Sequence, residues 1–265
     1  MNIVLVHGIL GFTKVLGVEY FQGVAERLQG QGHRIFVPQL DPTQGIIIRG
    51  NQLRDQIASA WANKTLDPNQ KTHIIAHSLG GLDSRYILSP ANPNRLSVPV
   101  RSLTTIGTPH LGSPVADLLD KPADLSPFPH LPFGLGNPLD DALGVLHISL
   151  NGMRSVTTAS CQNFNTTYRD NPGVAYFSIA GGGRAKFPET SAAFLLFHKY
   201  ISALTGQPND GMVPVPSAKW GAFDAQTWST DHGEEIGHNL DNPLGSPAFN
   251  YLGGYDKIAA RIANL

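Results

Sequence analysis

Ser78 stands in the pentad Ala76-His77-Ser78-Leu79-Gly80, at the end of a candidate buried strand, Thr72 to Ala76. A serine on a sharp strand-to-helix turn holds its hydroxyl clear of the backbone at a helix N-terminus, where a nucleophile is useful. Strand and helix pass close there, so small residues are needed two before and two after the serine. Ala76 and Gly80 meet that need, with Ala where Gly is usual. Such pentads also occur in ordinary βα loops, so the reading depends on partners. A serine attacks when a histidine takes its proton and a carboxylate fixes the histidine's tautomer.

On folds that carry this turn the chain order is Ser, acid, His. The histidines after Ser78 are His110, His130, His147, His198, His232 and His238. Asn209-Asp210-Gly211-Met212-Val213 places an acid in a turn beside apolar residues. Asp210 is therefore the candidate acid, although Asn209-Asp210-Gly211 is also a plain turn former, and Asp224 and Asp231 are rivals. For the base, His232 and His238 share the last polar loop, and pattern alone leaves both open. His232, Glu234 and His238 could instead bind metal, but a complete zinc ligand set is not evident. A developing oxyanion needs donors, and the backbone N–H groups of Leu79 and Ile9 are the candidates. Ile9 lies in His7-Gly8-Ile9-Leu10-Gly11, where Gly8 permits close approach and His7 reads as structural.

These residues need a scaffold. Ile3 to Val6 reads as a buried strand, Tyr20 to Gln29 as a helix stopped by Gly30 and Gly32, and Arg34 to Val37 as a strand. A helix over Arg49 to Ala62, the strand Thr72 to Ala76, a helix over Leu79 to Leu88 and the strand Val100 to Ile106 follow. Alternation at this spacing predicts right-handed βαβ units and a mostly parallel sheet with helices on both faces, and the strand–serine–helix turn is the one that the α/β-hydrolase fold carries. The order breaks between about 113 and 168, where Pro114, Pro122, Pro127, Pro129, Pro132 and Pro138 fall among Leu and Phe. An insertion of that length reads as a helical lid or cap. Val174 to Ile179, Ser191 to Leu204 and Tyr255 to Asn264 resume the regular pattern. With no repeats and no linker-like boundary, residues 1–265 read as one domain.

Composition sets outer limits. Hydrophobic residues make up 41% and charged residues 15%, which describes a packed globular chain. The net charge of -1, without a basic run, argues against nucleic acid as a partner. A single cysteine, Cys161, excludes an internal disulfide. No stretch approaches the ~18 apolar residues that span a bilayer. Ile3 to Val6 already reads as core, leaving no room for a signal peptide.

The chain resembles the bacterial triacylglycerol lipases of the Pseudomonas, Burkholderia and Proteus type. The resemblance rests on Val6-His7-Gly8 with Gly11-Phe12 and Tyr20-Phe21, and on Arg49-Gly50 with Gln52-Leu53. It continues through His77-Ser78, Gly80-Gly81-Leu82 and Ser84-Arg85-Tyr86, and through Thr105-Ile106-Gly107-Thr108-Pro109-His110 with Gly112-Ser113 and Ala116-Asp117. Phe164-Asn165, Tyr176-Phe177-Ser178 and the Asp210 motif complete it. In that family the histidine lies 22 residues after the acid, and 232 minus 210 is 22, so the resemblance favours His232 over His238.

The resemblance implies a lipase that hydrolyses acylglycerol esters at an oil–water interface through Ser78, His232 and Asp210 and an acyl-enzyme. It implies no organic cofactor, a monomer and a secreted protein, the alternative being a cytoplasmic one. It also implies a structural Ca2+ on Glu189 and Glu234 and on the backbone carbonyls of His238 and Asn242, with Glu where the family has Asp. An esterase or polyester depolymerase with the same triad is the nearest rival, and a non-catalytic binding module on the same fold is a remote one.

Overall fold

In β1 (Asn2–Val6) every residue is buried, and successive side chains enter opposite faces of the sheet. Val4 and Val6 join one apolar core, Ile3 and Leu5 the other. The computed structural model of this chain describes residues 1–9, 14–15, 18–120, 150–183, 190–241 and 247–265. His130, His147, Glu189, Asn242 and residues 121–149 of the expected lid lie outside them.

After β1 come a short antiparallel pair, β2 (Lys14–Val15) and β3 (Val18–Glu19), then α1 (Val24–Gly30) and β4 (Arg34–Phe36). Next are α2 (Ile46–Ala62), β5 (Thr72–His77), α3 (Leu79–Leu88), β6 (Val100–Ile106) and α4 (Pro114–Asp120). Beyond residue 149 follow α5 (Leu150–Arg154), α6 (Thr158–Thr167), β7 (Ala175–Ile179), α7 (Ala192–Thr205), α8 (Val215–Ala218) and β8 (Ala222–Phe223). A 3-10 turn (Glu234–Ile236) and α9 (Tyr251–Ile262) close the chain.

Six strands form one sheet in the order β4-β1-β5-β6-β7-β8, with every pairing parallel. Parallel neighbours require crossovers, and the helices of those crossovers cover both faces. Leu53 and Ile57 of α2 and Leu82 and Tyr86 of α3 fill one core; Val24 and Leu28 of α1 and Tyr255 and Ile258 of α9 fill the other. This is the parallel sheet with helices on both faces that the alternation predicts, and it fits the α/β-hydrolase fold that the serine turn and the resemblance imply.

Some boundaries differ from the sequence reading. Helix α1 begins at Val24 rather than Tyr20, because Gly23 turns the chain with φ +66°. Tyr20 and Phe21 are left outside the helix, buried on the way into it. Helix α9 begins at Tyr251, four residues before the expected start, where the Asn250 side chain accepts the Gly253 N–H at 2.9 Å. Strand β8 has two residues, too few to show a period. Among the described residues, no helix is long and apolar enough to cross a membrane.

Candidate active site

Ser78 sits between β5 and α3 with φ +55° and ψ -134°, one of two non-glycine residues with positive φ among those described. Neighbours hold it there. Its N–H donates to Ile106 O at 2.9 Å, and Thr108 Oγ1 donates to its carbonyl at 2.8 Å. At Gly80 any Cβ would come within 2.6 Å of Val6 O and 2.7 Å of His7 O, so the strand end and α3 touch backbone to backbone. The small residue expected after the serine is therefore required by contact with β1.

Ser78 Oγ is 2.9 Å from His232 Nε2, and His232 Nδ1 is 2.8 Å from Asp210 Oδ2. Asp210 also accepts the N–H groups of Met212 at 2.8 Å and Val213 at 2.6 Å through Oδ1, and its carbonyl accepts the His232 N–H at 2.9 Å. A carboxylate only accepts, so Nδ1 carries the proton and Nε2 is free to accept from the serine hydroxyl. The three residues that the motif and the resemblance single out thus form one hydrogen-bonded chain, with Asp210 and His232 buried.

The rivals go elsewhere. Asp224 pairs with Arg261 at 3.0 Å, and the Asp231 carboxylate accepts backbone N–H groups. His238 Nε2 bonds Tyr20 O at 2.8 Å, anchoring the far end of the loop that carries His232. His198 bonds Gly183 O, and His110 bonds Thr105 and stacks on Trp220.

The stretch after β1 lies against the serine. A Cβ on Gly8 would fall 2.6 Å from Ser78 Cβ and 3.1 Å from Oγ, so only glycine lets the Gly8–Ile9 peptide approach this closely. Leu40 N–H donates to His7 Nε2 at 3.0 Å, which leaves the proton on Nδ1, and Nδ1–H donates to Gly8 O at 2.9 Å. Burial, then the Arg49 charge, lowers the His7 pKa to about 4, so the ring stays neutral. Arg49 Nη2 donates to His7 O at 2.7 Å, and Arg49 pairs with Asp83 on α3 at 2.8 Å, both side chains fully buried. Burial raises the Asp83 carboxyl to about 6, against the pull of Arg49.

A second network escaped the sequence reading. Gly8 N–H donates to Tyr20 Oη at 2.9 Å, and Tyr20 Oη is 2.7 Å from His77 Nδ1. His77 Nε2 is 2.9 Å from Glu235 Oε2, which is 3.5 Å from His232 Nδ1. The Gly8 N–H donates to the tyrosine oxygen, and the His77 ring bridges that hydroxyl to the Glu235 carboxyl. Burial, then the Asp210 charge, pushes the Glu235 carboxyl well above the usual range. Burial, then the neighbouring His232 and His238, pushes the His77 ring well below it. Tyr20 and His77 belong to quoted motifs, but nothing in their spacing marks this role, and Glu235 adjoins the Glu234 that the resemblance selects. His77, His232 and Glu235 are close enough to hold a metal ion, yet their ring nitrogens are engaged in the hydrogen bonds just described. A pocket opens at Ser78 Oγ, walled largely by Ile9, Pro109, Met153, Val156, Met212 and Val213, a surface suited to an apolar acyl group.

Residues 3–117 match the family described as "Putative serine esterase (DUF676)". The triacylglycerol lipase of Vibrio cholerae is 30% identical over 260 residues, covering 88% of this chain and 78% of that protein. The chain belongs to the triacylglycerol lipase family. Triacylglycerol lipase 2 of Saccharomyces cerevisiae is 32% identical, and the match spans 88% of this chain and 66% of that lipase. For the Burkholderia plantarii triacylglycerol lipase, also 32% identical, the shares are 63% and 47%, so about half of that relative's length is matched. Among solved structures, Staphylococcus hyicus lipase superposes with a TM-score of 0.71 at 17% identity, over 98% of this chain and 95% of that one. That likeness shows the shared fold.

Proposed function

We propose that this lipase-family chain hydrolyses the carboxylic esters of acylglycerols, with Ser78 as nucleophile, His232 as general base and acid, and Asp210 as the residue that orients His232. The observation that carries the reading is the unbroken path from Ser78 Oγ through His232 to Asp210 Oδ2, at 2.9 and 2.8 Å, beside an apolar pocket. Ser78 Oγ bonds to the acyl carbon as its proton passes to His232 Nε2. The ester C–O bond then breaks, and the leaving alcohol takes that proton. Water, deprotonated by His232, attacks the acyl-enzyme and releases the fatty acid, restoring Ser78. The N–H groups of Ile9 and Leu79 receive the oxyanion; one follows Gly8, packed on Ser78, and the other starts α3.

In this reading the stretch 118–150, of which 121–149 lie outside the described residues, serves as the lid of a monomer at an oil–water interface, while Val115, Ala116, Met153, Val156, Cys161 and Phe164 on either side belong to the core. Leu111 is 51% exposed, two residues after pocket-lining Pro109, which supports an apolar rim. A calcium ion on Glu234 and the His238 carbonyl, completed by Glu189 and the Asn242 carbonyl, would anchor the His232 loop and take no part in bond making. Burial, then Asp231 and Asp241, raises the Glu234 carboxyl to about 7, a crowding of negative charge that suits a cation.

The test is turnover of a tributyrin emulsion and of a soluble nitrophenyl ester, with and without chelator. Wild type should act on both, and Ser78→Ala should lose turnover and fluorophosphonate labelling. Substantial activity left in Ser78→Ala removes the assignment, and activity on the soluble ester alone makes the protein an esterase. A melting temperature indifferent to chelator removes the calcium.

A further inference from the structure

Asp231 is fully buried, precedes His232 directly, and does not hydrogen-bond its ring. Its Oδ1 accepts the N–H groups of Gly233 and Glu234, both at 2.9 Å, and its Oδ2 accepts the N–H of Ser191 at 2.8 Å. The first two bonds are an ordinary Asx turn that opens the 3-10 turn Glu234–Ile236. The third is not local. It crosses 40 residues to the N-cap of α7. Helix α7 in turn sets Phe194 edge-on to the His232 ring at 6.2 Å between centroids. Asp241 makes a second tie to the same helix end, on Ala192 N at 3.0 Å.

We infer that Asp231 is a positioning residue for His232: one carboxylate straps the peptide groups beside the base to the head of α7 and so sets the ring between Asp210 and Ser78. The inference rests on the proposed triad and needs no metal. A base must be held within about half an ångström of its productive place, and a 1 Å error costs on the order of 100-fold in rate. The ring and backbone bonds of His232 to Asp210 hold the base from one side and leave the peptides after it to be fixed from the other. A charge-assisted clamp on those peptides supplies that second hold.

The experiment uses the full chain and three variants. Asp231→Asn keeps one oxygen for Gly233 and Glu234 but turns an amide NH2 toward the Ser191 N–H. Ser191→Pro removes that N–H from the other side, at φ -61°, which proline adopts. The third variant combines both. On a soluble nitrophenyl ester, well below each melting point, each single variant should lower kcat about 10- to 100-fold, with KM within about two-fold. Fluorophosphonate labelling of Ser78 should slow in step with kcat. The double variant should be no slower than the worse single one, because both cut the same link. An unchanged kcat in both single variants overturns the inference, as does a fully additive double variant or full rescue by millimolar calcium. Wild type that neither labels nor hydrolyses esters would instead overturn the triad itself.

Discussion

Buried histidines that stay neutral set much of the chemistry at single positions. His73 shows it away from the site: its Nδ1 bonds Ser102 Oγ at 2.8 Å, its Nε2 has no hydrogen-bond partner among the described residues, and it is fully buried on β5. Burial first, then positive charge at the N-terminus, Lys71, Arg101 and His33, lowers its pKa from 6.5 to about 4. A folded-state pKa below the unfolded one means stability present above 6.5 and lost as the pH falls toward 4. Replacing the pair by His73→Leu with Ser102→Ala should therefore make the variant's melting temperature rise relative to wild type across that window. A difference that is flat or falling, measured by calorimetry from pH 7 to 4, counts against it. At this scale the sequence was readable where residues come in strings. Ser78 is framed by small residues and Asp210 by a turn. His232 was separated from His238 by resemblance, not by physics. Glu235 was unreadable because its role comes from meeting His77, 158 positions away.

Elements act here mainly through their ends. Strand β1 stops where Gly8 meets Ser78, β5 stops at the serine, and α3 starts against the β1 carbonyls. Gly80→Ala would press a methyl against the Val6 and His7 carbonyl oxygens, which are backbone and cannot rotate away. Overpacking of this kind costs about 1–3 kcal/mol, or several degrees of melting temperature in a domain of this size. The stretch that yields is the one bearing Ile9, so kcat should fall together with stability. Gly80→Ala with wild-type kcat and melting temperature would mean that the two elements are not in contact. Element existence followed from short apolar runs and period: Ile3 to Val6, Ile74 to Ala76, and Leu103 with Ile106 carry β1, β5 and β6, and α2 carries Leu53 and Ile57 on its buried side. Starts were less readable, since Gly23 and Asn250 act through φ and one hydrogen bond rather than through a pattern.

Across the whole molecule, a six-stranded parallel sheet separates two cores, and the site lies along the carboxyl ends of its strands. Alternation of strand and helix made that layout legible in advance. The ties that tension it were not legible: Arg49 to Asp83, His238 to Tyr20, and Asp231 to Ser191 each join distant segments through single side chains. The loop holding His232 is pinned from both ends of the chain. Tyr255 Oη of α9 donates to Glu235 O at 3.3 Å, and Gln22 N–H donates to Ile236 O at 3.0 Å. Setting Ser78 needs β5, β6 and α3, whereas setting His232, its proposed base, also needs α9 and the segment at Gln22. On refolding from denaturant, far-UV circular dichroism should recover before Ser78 regains fluorophosphonate reactivity, and coincident recoveries would contradict that order. On the proposed triad, a chain that has the elbow but not yet α9 would carry an inert serine, so acyl chemistry would not begin on the unfinished protein or on its neighbours.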